Sequence, residues 1–344
     1  MANLILKAAL STAMIVSQAV LAGSSTADTA KGFYQGRTVT IVVPGGAGST
    51  LGVYCQLMAV HWPARIPGSP GMVCQYRPGA GGTVAAAYMY NAAPKDGTVV
   101  GEILSASVLA PKLRPMKFDP EKFIWLGSIA PKPAVLTIWH TAPAKTLEDT
   151  KKTEIVIGAT GSGSETFIIP ALLNRAIGTK FKIVSGYPGT TPISVAMERG
   201  EVHGRWASWQ EWVAVRPDWQ KAGYLIHLVQ YGPRIRELPN VPHLRDILQS
   251  EDERKMVDFI EISQNVGVGF YLPPGVPNDR TAALTSSFEA VLENARFLAD
   301  AKKRQADVEP IKGKELERLT AKAYATPEPV LRKLRSMLGF PETF

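Results

Sequence analysis

Hydrophobic residues fall along this chain in short continuous runs separated by glycine- and proline-rich breaks. Continuous runs, unlike alternating ones, predict strands covered on both faces. The run Thr38-Val39-Thr40-Ile41-Val42-Val43 is β-branched and too apolar for a half-exposed strand. It breaks at Pro44-Gly45-Gly46-Ala47-Gly48 and restarts at Ser49-Thr50, residue types that cap helices. A buried strand, a tight loop and a helix N-terminus follow, the helix stopping at Pro63. The pattern then repeats. A strand around Val73 runs into Arg77-Pro78-Gly79-Ala80-Gly81-Gly82-Thr83, a helix covers residues 84–91, and a turn at residues 92–98 leads to a strand over 99–104 that ends in Ser105-Ala106-Ser107. Strand, glycine loop and helix in alternation predict an α/β chain with a largely parallel sheet, whose ligands gather at the carboxyl ends of the strands.

Residues 123–129 and 134–139 break the rhythm, because two strands follow each other with no helix between them. The chain is expected to leave a first lobe here. A second series starts with a strand over 155–159, the loop Thr160-Gly161-Ser162-Gly163-Ser164-Glu165-Thr166 and a helix over 167–177. Pro170 is tolerated near a helix start, which favours a cap at Ser164 or later. Strands are expected at 182–185, 204–206 and 225–231, helices at 193–199 and 246–259, and a returning strand at 266–272. The remainder is mostly helical, its last helix opening at Thr326-Pro327 and closing at Gly339. Crossing out near 130 and back near 267 gives two lobes, residues 28–130 plus 267–344 and residues 131–266, joined by two crossing strands. Each lobe offers a glycine loop at a helix N-terminus, where free N–H groups and the helix dipole suit a carboxylate or phosphate. The arrangement is a hinged clamp.

The N-terminus stands apart. Lys7 precedes an apolar run from Ala8 to Ala22, too short to span a membrane comfortably, so residues 1–27 read as a signal peptide cleaved near Ala22 or Ala27. Export changes the meaning of the two cysteines. Cys55 and Cys74 belong to consecutive elements, so a disulfide and a pair of buried thiols both fit. Two cysteines without a CxxC spacing exclude a thiolate zinc cluster, and no cofactor or metal is implied. The full chain of 344 residues carries a net charge of +8, with 45% hydrophobic and 20% charged residues. Without residues 1–27 the balance is about +7, scattered over the sequence. Scattered charge favours anionic solutes mildly and gives no reason to expect nucleic acid.

Nucleotide signatures fail at residues with a physical task. A phosphate-binding Walker loop needs lysine where Gly48 stands, and a dinucleotide fingerprint begun at Gly46 needs a small residue where Leu51 stands. The runs Val42-Val43-Pro44-Gly45-Gly46-Ala47-Gly48-Ser49-Thr50, Arg77-Pro78-Gly79-Ala80-Gly81-Gly82, Ala92-Ala93-Pro94-Lys95-Asp96-Gly97, Gly161-Ser162-Gly163-Ser164 and Tyr187-Pro188-Gly189 resemble, in order and spacing, the solute receptors of tripartite tricarboxylate transporters, also called Bug receptors. The resemblance covers about residues 33–275, and the arginine-proline-glycine run is its most specific piece. It implies a type II periplasmic-binding-protein fold with a hinge of two crossing strands. It also implies a small organic carboxylate as ligand, membrane transporter subunits as partners, and a periplasmic, monomeric receptor that is not an enzyme. Carried onto this sequence, the ligand contacts are Gly46, Ala47, Ser49 and Thr50 from one lobe and Thr160, Ser162 and Ser164 from the other. Gly81, Ser105 and Tyr187, at or just beyond strand ends, join them. Leu51 replaces an aspartate common in the family, which speaks against an amino-acid ligand. Glu165 and Pro188 depart from the neutral residue and the lysine common at those places.

Trp206, Trp209 and Trp212 recur every third residue after Arg205. They read either as an aromatic wall with Arg205 pairing a carboxylate, or as packing beneath the second lobe, with Trp206 alone near the site. The rival class is an exported hydrolase. Ser49, Ser162 and Ser164 sit in glycine loops, but no GxSxG elbow or HExxH motif is present, and only His203 lies in a plausible cleft loop. A receptor that signals to a membrane kinase would use the same fold and residues as one that feeds a transporter.

Overall fold

The structure is a computed structural model that describes residues 25–161, 164–215 and 217–344. The expected leader lies outside the described residues except for Ser25, Thr26 and Ala27, which stand in the first turn of the helix Ser25–Tyr34. No described helix is long and apolar enough to cross a membrane.

Eleven strands are described: β1 (Thr38–Val43), β2 (Gly71–Tyr76), β3 (Val99–Leu104), β4 (Ile124–Ser128), β5 (Ala134–Trp139), β6 (Ile155–Ala159), β7 (Phe181–Ser185), β8 (Gly204–Ser208), β9 (Leu225–Tyr231), β10 (Val268–Leu272) and β11 (Ile311–Lys312). They form two sheets, one in the order β11-β4-β10-β3-β1-β2 and the other in the order β7-β6-β8-β5-β9. The parallel expectation holds for β1 with β2 and β3, and for β6 with β7 and β8. It fails where the chain changes sheet. Strand β10 runs antiparallel to β3 and β4, and β5 antiparallel to β8 and β9, because these two strands lie where the chain passes from one sheet to the other.

Strand β1 shows why its run had to be continuous. Val39, Ile41 and Val43 pack into one core with Leu51, Tyr54, Leu57 and Met58 of the helix Thr50–His61, while Val42 points to the opposite core with Ala85, Ala86 and Met89 of the helix Thr83–Asn91. In the second sheet all six residues of β5 are buried. Helix ends moved in three places. The helix expected over 167–177 is Glu165–Ile177, that over 193–199 is Thr190–Glu198, and that over 246–259 is Leu244–Ile247 followed by Glu251–Val266. The last of these starts on a complete capping box between Ser250 and Glu253, which sets its N-terminus more firmly than hydrophobic spacing alone. It runs on to Val266, so the returning strand starts at Val268.

The two crossings lie side by side. Ile129 donates to the Val268 carbonyl at 2.9 Å, Val268 to the Ala130 carbonyl at 3.0 Å, and Lys132 to the Gln264 carbonyl at 2.8 Å. Gly267 makes this contact feasible, since its φ is +47° and a Cβ there would stand 2.0 Å from the Ala130 carbonyl oxygen. The two crossings therefore form a single hydrogen-bonded ribbon.

Cys55 and Cys74 are joined in a disulfide, which decides between the two readings of these residues. It ties the helix Thr50–His61 to edge strand β2 across a sequence separation of 19. Closing a loop of that size in the unfolded chain corresponds to about 3 kcal/mol. Replacing both cysteines by alanine is expected to lower the unfolding free energy by about that amount. Urea midpoints that match between the two proteins would contradict this.

Candidate functional site

A cavity of about 740 Å³ opens between the two sheets. Four helices of nine residues or more begin at its wall: Thr50–His61, Thr83–Asn91, Glu165–Ile177 and Thr190–Glu198, whose first residues all line it. A helix cannot satisfy its first N–H groups internally, so each start offers donors and the positive end of a dipole. The sequence pointed to two such starts; the structure brings four together.

The expected contact residues divide as follows. Ser49, Thr50, Gly81, Ser105, Thr160, Ser164 and Trp206 line the cavity. Gly46, Ala47, Tyr187 and Arg205 do not, and Ser162 lies outside the described residues. Gly46 serves the loop itself, its carbonyl accepting from the Ser49 amide at 3.0 Å and from the Ser49 hydroxyl at 2.7 Å. Tyr187 packs against the core beneath the second sheet.

Arg205 is buried and already paired. Its Nη2 donates to Glu211 at 2.7 Å, its Nε to the Ser194 hydroxyl at 2.9 Å, and its guanidinium lies 4.3 Å from the centre of the Trp212 ring. The carboxylate that Arg205 meets in this geometry is that of Glu211, and its guanidinium does not line the cavity. Of the tryptophan series, Trp206 lines the cavity and Trp212 is buried under Arg205, while Trp209 is not part of the lining.

The serine hydroxyls are engaged with the backbone. Ser49 caps its helix by accepting from the Gly52 amide at 3.1 Å, and Ser164 donates to the Gly161 carbonyl at 2.7 Å. The Thr160 amide donates to the Thr166 hydroxyl at 3.0 Å. The hydroxyls of Ser49 and Ser164 are thus taken up within their own loops. His203 has a structural task, its Nδ1 accepting from the Val156 amide at 2.9 Å, and among the described residues no histidine lines the cavity. Among the described residues no cluster could hold a metal ion.

Sequence reasoning missed the charged floor. Lys132, between Pro131 and Pro133 on the crossing segment, lines the cavity together with Arg114, Glu165 and Glu211. Glu165 accepts from Ser263 and from Gln264, each at 2.6 Å. Burial pushes its carboxyl above the ordinary range, opposed by those two bonds and by the charge of Lys132. Burial likewise pulls the Lys132 ammonium down, opposed by Glu102, Glu165 and Glu211. Behind the wall Glu102 is fully buried in β3, neither oxygen has a partner among the described residues, and burial drives it well toward the neutral acid with only Lys132 opposing. The lining thus carries two basic side chains, Arg114 and Lys132, and two acidic ones, Glu165 and Glu211.

Residues 66–335 match the family model described as the tripartite tricarboxylate transporter family receptor. A UPF0065 protein of Bordetella bronchiseptica is 26% identical over 174 residues, 48% of this chain and 50% of that relative, so the match spans about half of the relative's length. Among solved structures, a TctC solute binding protein from Polaromonas superposes with a TM-score of 0.66 at 18% identity, covering 89% of this chain and 99% of that one. An R. palustris protein solved with adipate superposes with a TM-score of 0.63 at 19% identity, covering 89% and 98%. These likenesses establish the two-lobed periplasmic-binding-protein fold.

Proposed function

This chain belongs to the tripartite tricarboxylate transporter receptor family, and from that premise we propose that it captures one small organic carboxylate between its lobes in the periplasm and delivers it to the membrane subunits of such a transporter. The observation that carries the reading is the convergence of four helix N-termini on one cavity between the sheets. In this reading residues 28–130 with 267–344 form one lobe and residues 131–266 the other, supported by the membership of the two sheets. The ligand grip is then Thr50, Gly81, Ser105, Thr160, Ser164 and Trp206, with Ser49 holding the first helix start in place. The adipate of the R. palustris relative supports an acid as ligand.

Magnitudes agree. A hydrogen bond to a charged group contributes about 1.5–3 kcal/mol, so four or five exceed the roughly 8 kcal/mol of micromolar binding. The surplus offsets the ordering that closure requires. Capture without chemistry is supported by the family match and by the Ser49 and Ser164 hydroxyls, which are held on backbone carbonyls.

A thermal-shift screen of the protein against adipate, malate, benzoate, glutamate, glucose and choline tests the proposal. An acid present at a hundred times its dissociation constant adds about 2.7 kcal/mol of stability and raises Tm by several degrees. A shift with glucose or choline and none with any acid would overturn it.

A further inference from the structure

One aromatic residue of the cavity lining lies beyond the reach of the family match. The match ends at residue 335, and Phe340 lines the cavity beside Ala110 and Leu113. How it arrives there is set by the chain's last turn. The helix Glu328–Met337 packs against the segment Ala110–Leu113 of the first lobe and against the helix Glu165–Ile177 of the second. Gly339, at φ +70°, turns the chain back, and the Phe340 amide donates to the Arg335 carbonyl at 2.9 Å. The ring is left half-buried, resting on the core on one side and facing the cavity on the other.

Arg335 holds this turn in place. It is buried, with Nε donating to the Glu342 carbonyl at 2.8 Å, Nη1 to the Lys112 carbonyl at 2.8 Å, and Nη2 to the Glu328 carboxylate. The tail at Glu342 and the segment that carries the lining residues Ala110 and Leu113 are therefore bonded to the same guanidinium, which holds the turn bearing Phe340 against that segment.

We infer that Phe340 is the end wall of the ligand cleft and sets the length of the apolar body that the bound acid can carry. The inference rests on the carboxylate reading above. With the acid's carboxylate at the helix starts, its carbon chain extends toward Ala110, Leu113 and Phe340, and each buried methylene strengthens binding about fourfold until the chain meets the ring.

The test is calorimetric titration of the straight-chain acids from acetate to decanoate, with succinate and adipate alongside, into the wild type, Phe340→Ala and Phe340→Trp. In the wild type, affinity is expected to rise with length to an optimum and fall at least tenfold beyond it. Phe340→Ala moves the optimum to acids at least two methylenes longer, and Phe340→Trp moves it to shorter ones. The two shifts have opposite signs, so if the alanine protein fails to fold, the tryptophan protein decides. An optimum that stays at one length in the folded variants overturns the end wall and leaves carboxylate binding standing. No binding of any acid by the wild type overturns the carboxylate reading and this inference with it.

Discussion

Ser49→Asp is expected to weaken binding of the acid at least a hundredfold while leaving the melting temperature close to that of the wild type. Ser49 lines the cavity and accepts from the Gly52 amide at the start of the helix Thr50–His61. Aspartate is as good a cap as serine and can accept the same bond, losing only the exposed bond that the Ser49 hydroxyl donates to the Gly46 carbonyl. It also adds a full negative charge to the ligand's surroundings. Two like charges about 5 Å apart at an effective dielectric constant of about 20 repel by roughly 3 kcal/mol, which is more than a hundredfold in affinity. Ser49→Asn keeps the cap without the charge, and its affinity is expected within a few-fold of the wild type. Calorimetry and thermal melts of the three proteins separate the contributions; equal affinity for the aspartate and asparagine proteins would show that no anion sits near this helix start.

Arg205→Ala is expected to produce the largest loss of stability of any single substitution considered, about 4 kcal/mol. The side chain is 3% exposed and its partner Glu211 23% exposed, so removing the cation strands a largely desolvated carboxylate. It also empties the space over the Trp212 ring and leaves Ser194 without its donor. The replacement of both charges, Arg205→Met with Glu211→Gln, is expected to recover more than half of the loss, because no charge is then left unpaired. Urea denaturation of the single and double variants measures this, and equal losses in the two would assign the effect to packing alone.

The positions of the helix starts were legible in the sequence because glycine loops and capping residues act locally. Ser49, Thr50, Thr160 and Ser164 reach the cavity for that reason. What surrounds them was less legible, because burial and pairing are decided by distant parts of the chain. Arg205 reads as a free cation beside an aromatic series until Glu211 is seen against it. Lys132 and Glu102 left a trace, one as a lysine between two prolines and the other as a carboxylate in an otherwise apolar strand, but nothing local said that the charge of one would act on the other. Phe340 left none. Its place follows from the way the last helix docks, and a single aromatic residue near a chain end looks the same whether it lines a cavity or not.

One hydrophobic cluster passes from Val42, Ile103 and Trp125 of the first sheet, through Met256, Phe259 and Ile260 of the helix Glu251–Val266, to Leu136, Ile157 and Trp206 of the second. Neither half of the molecule is consequently a detachable module. A chimaera that took its distal half from a relative would inherit a foreign oily seam along that helix, and ligand preference in this scaffold changes more readily by point replacements around the chamber than by exchanging whole halves.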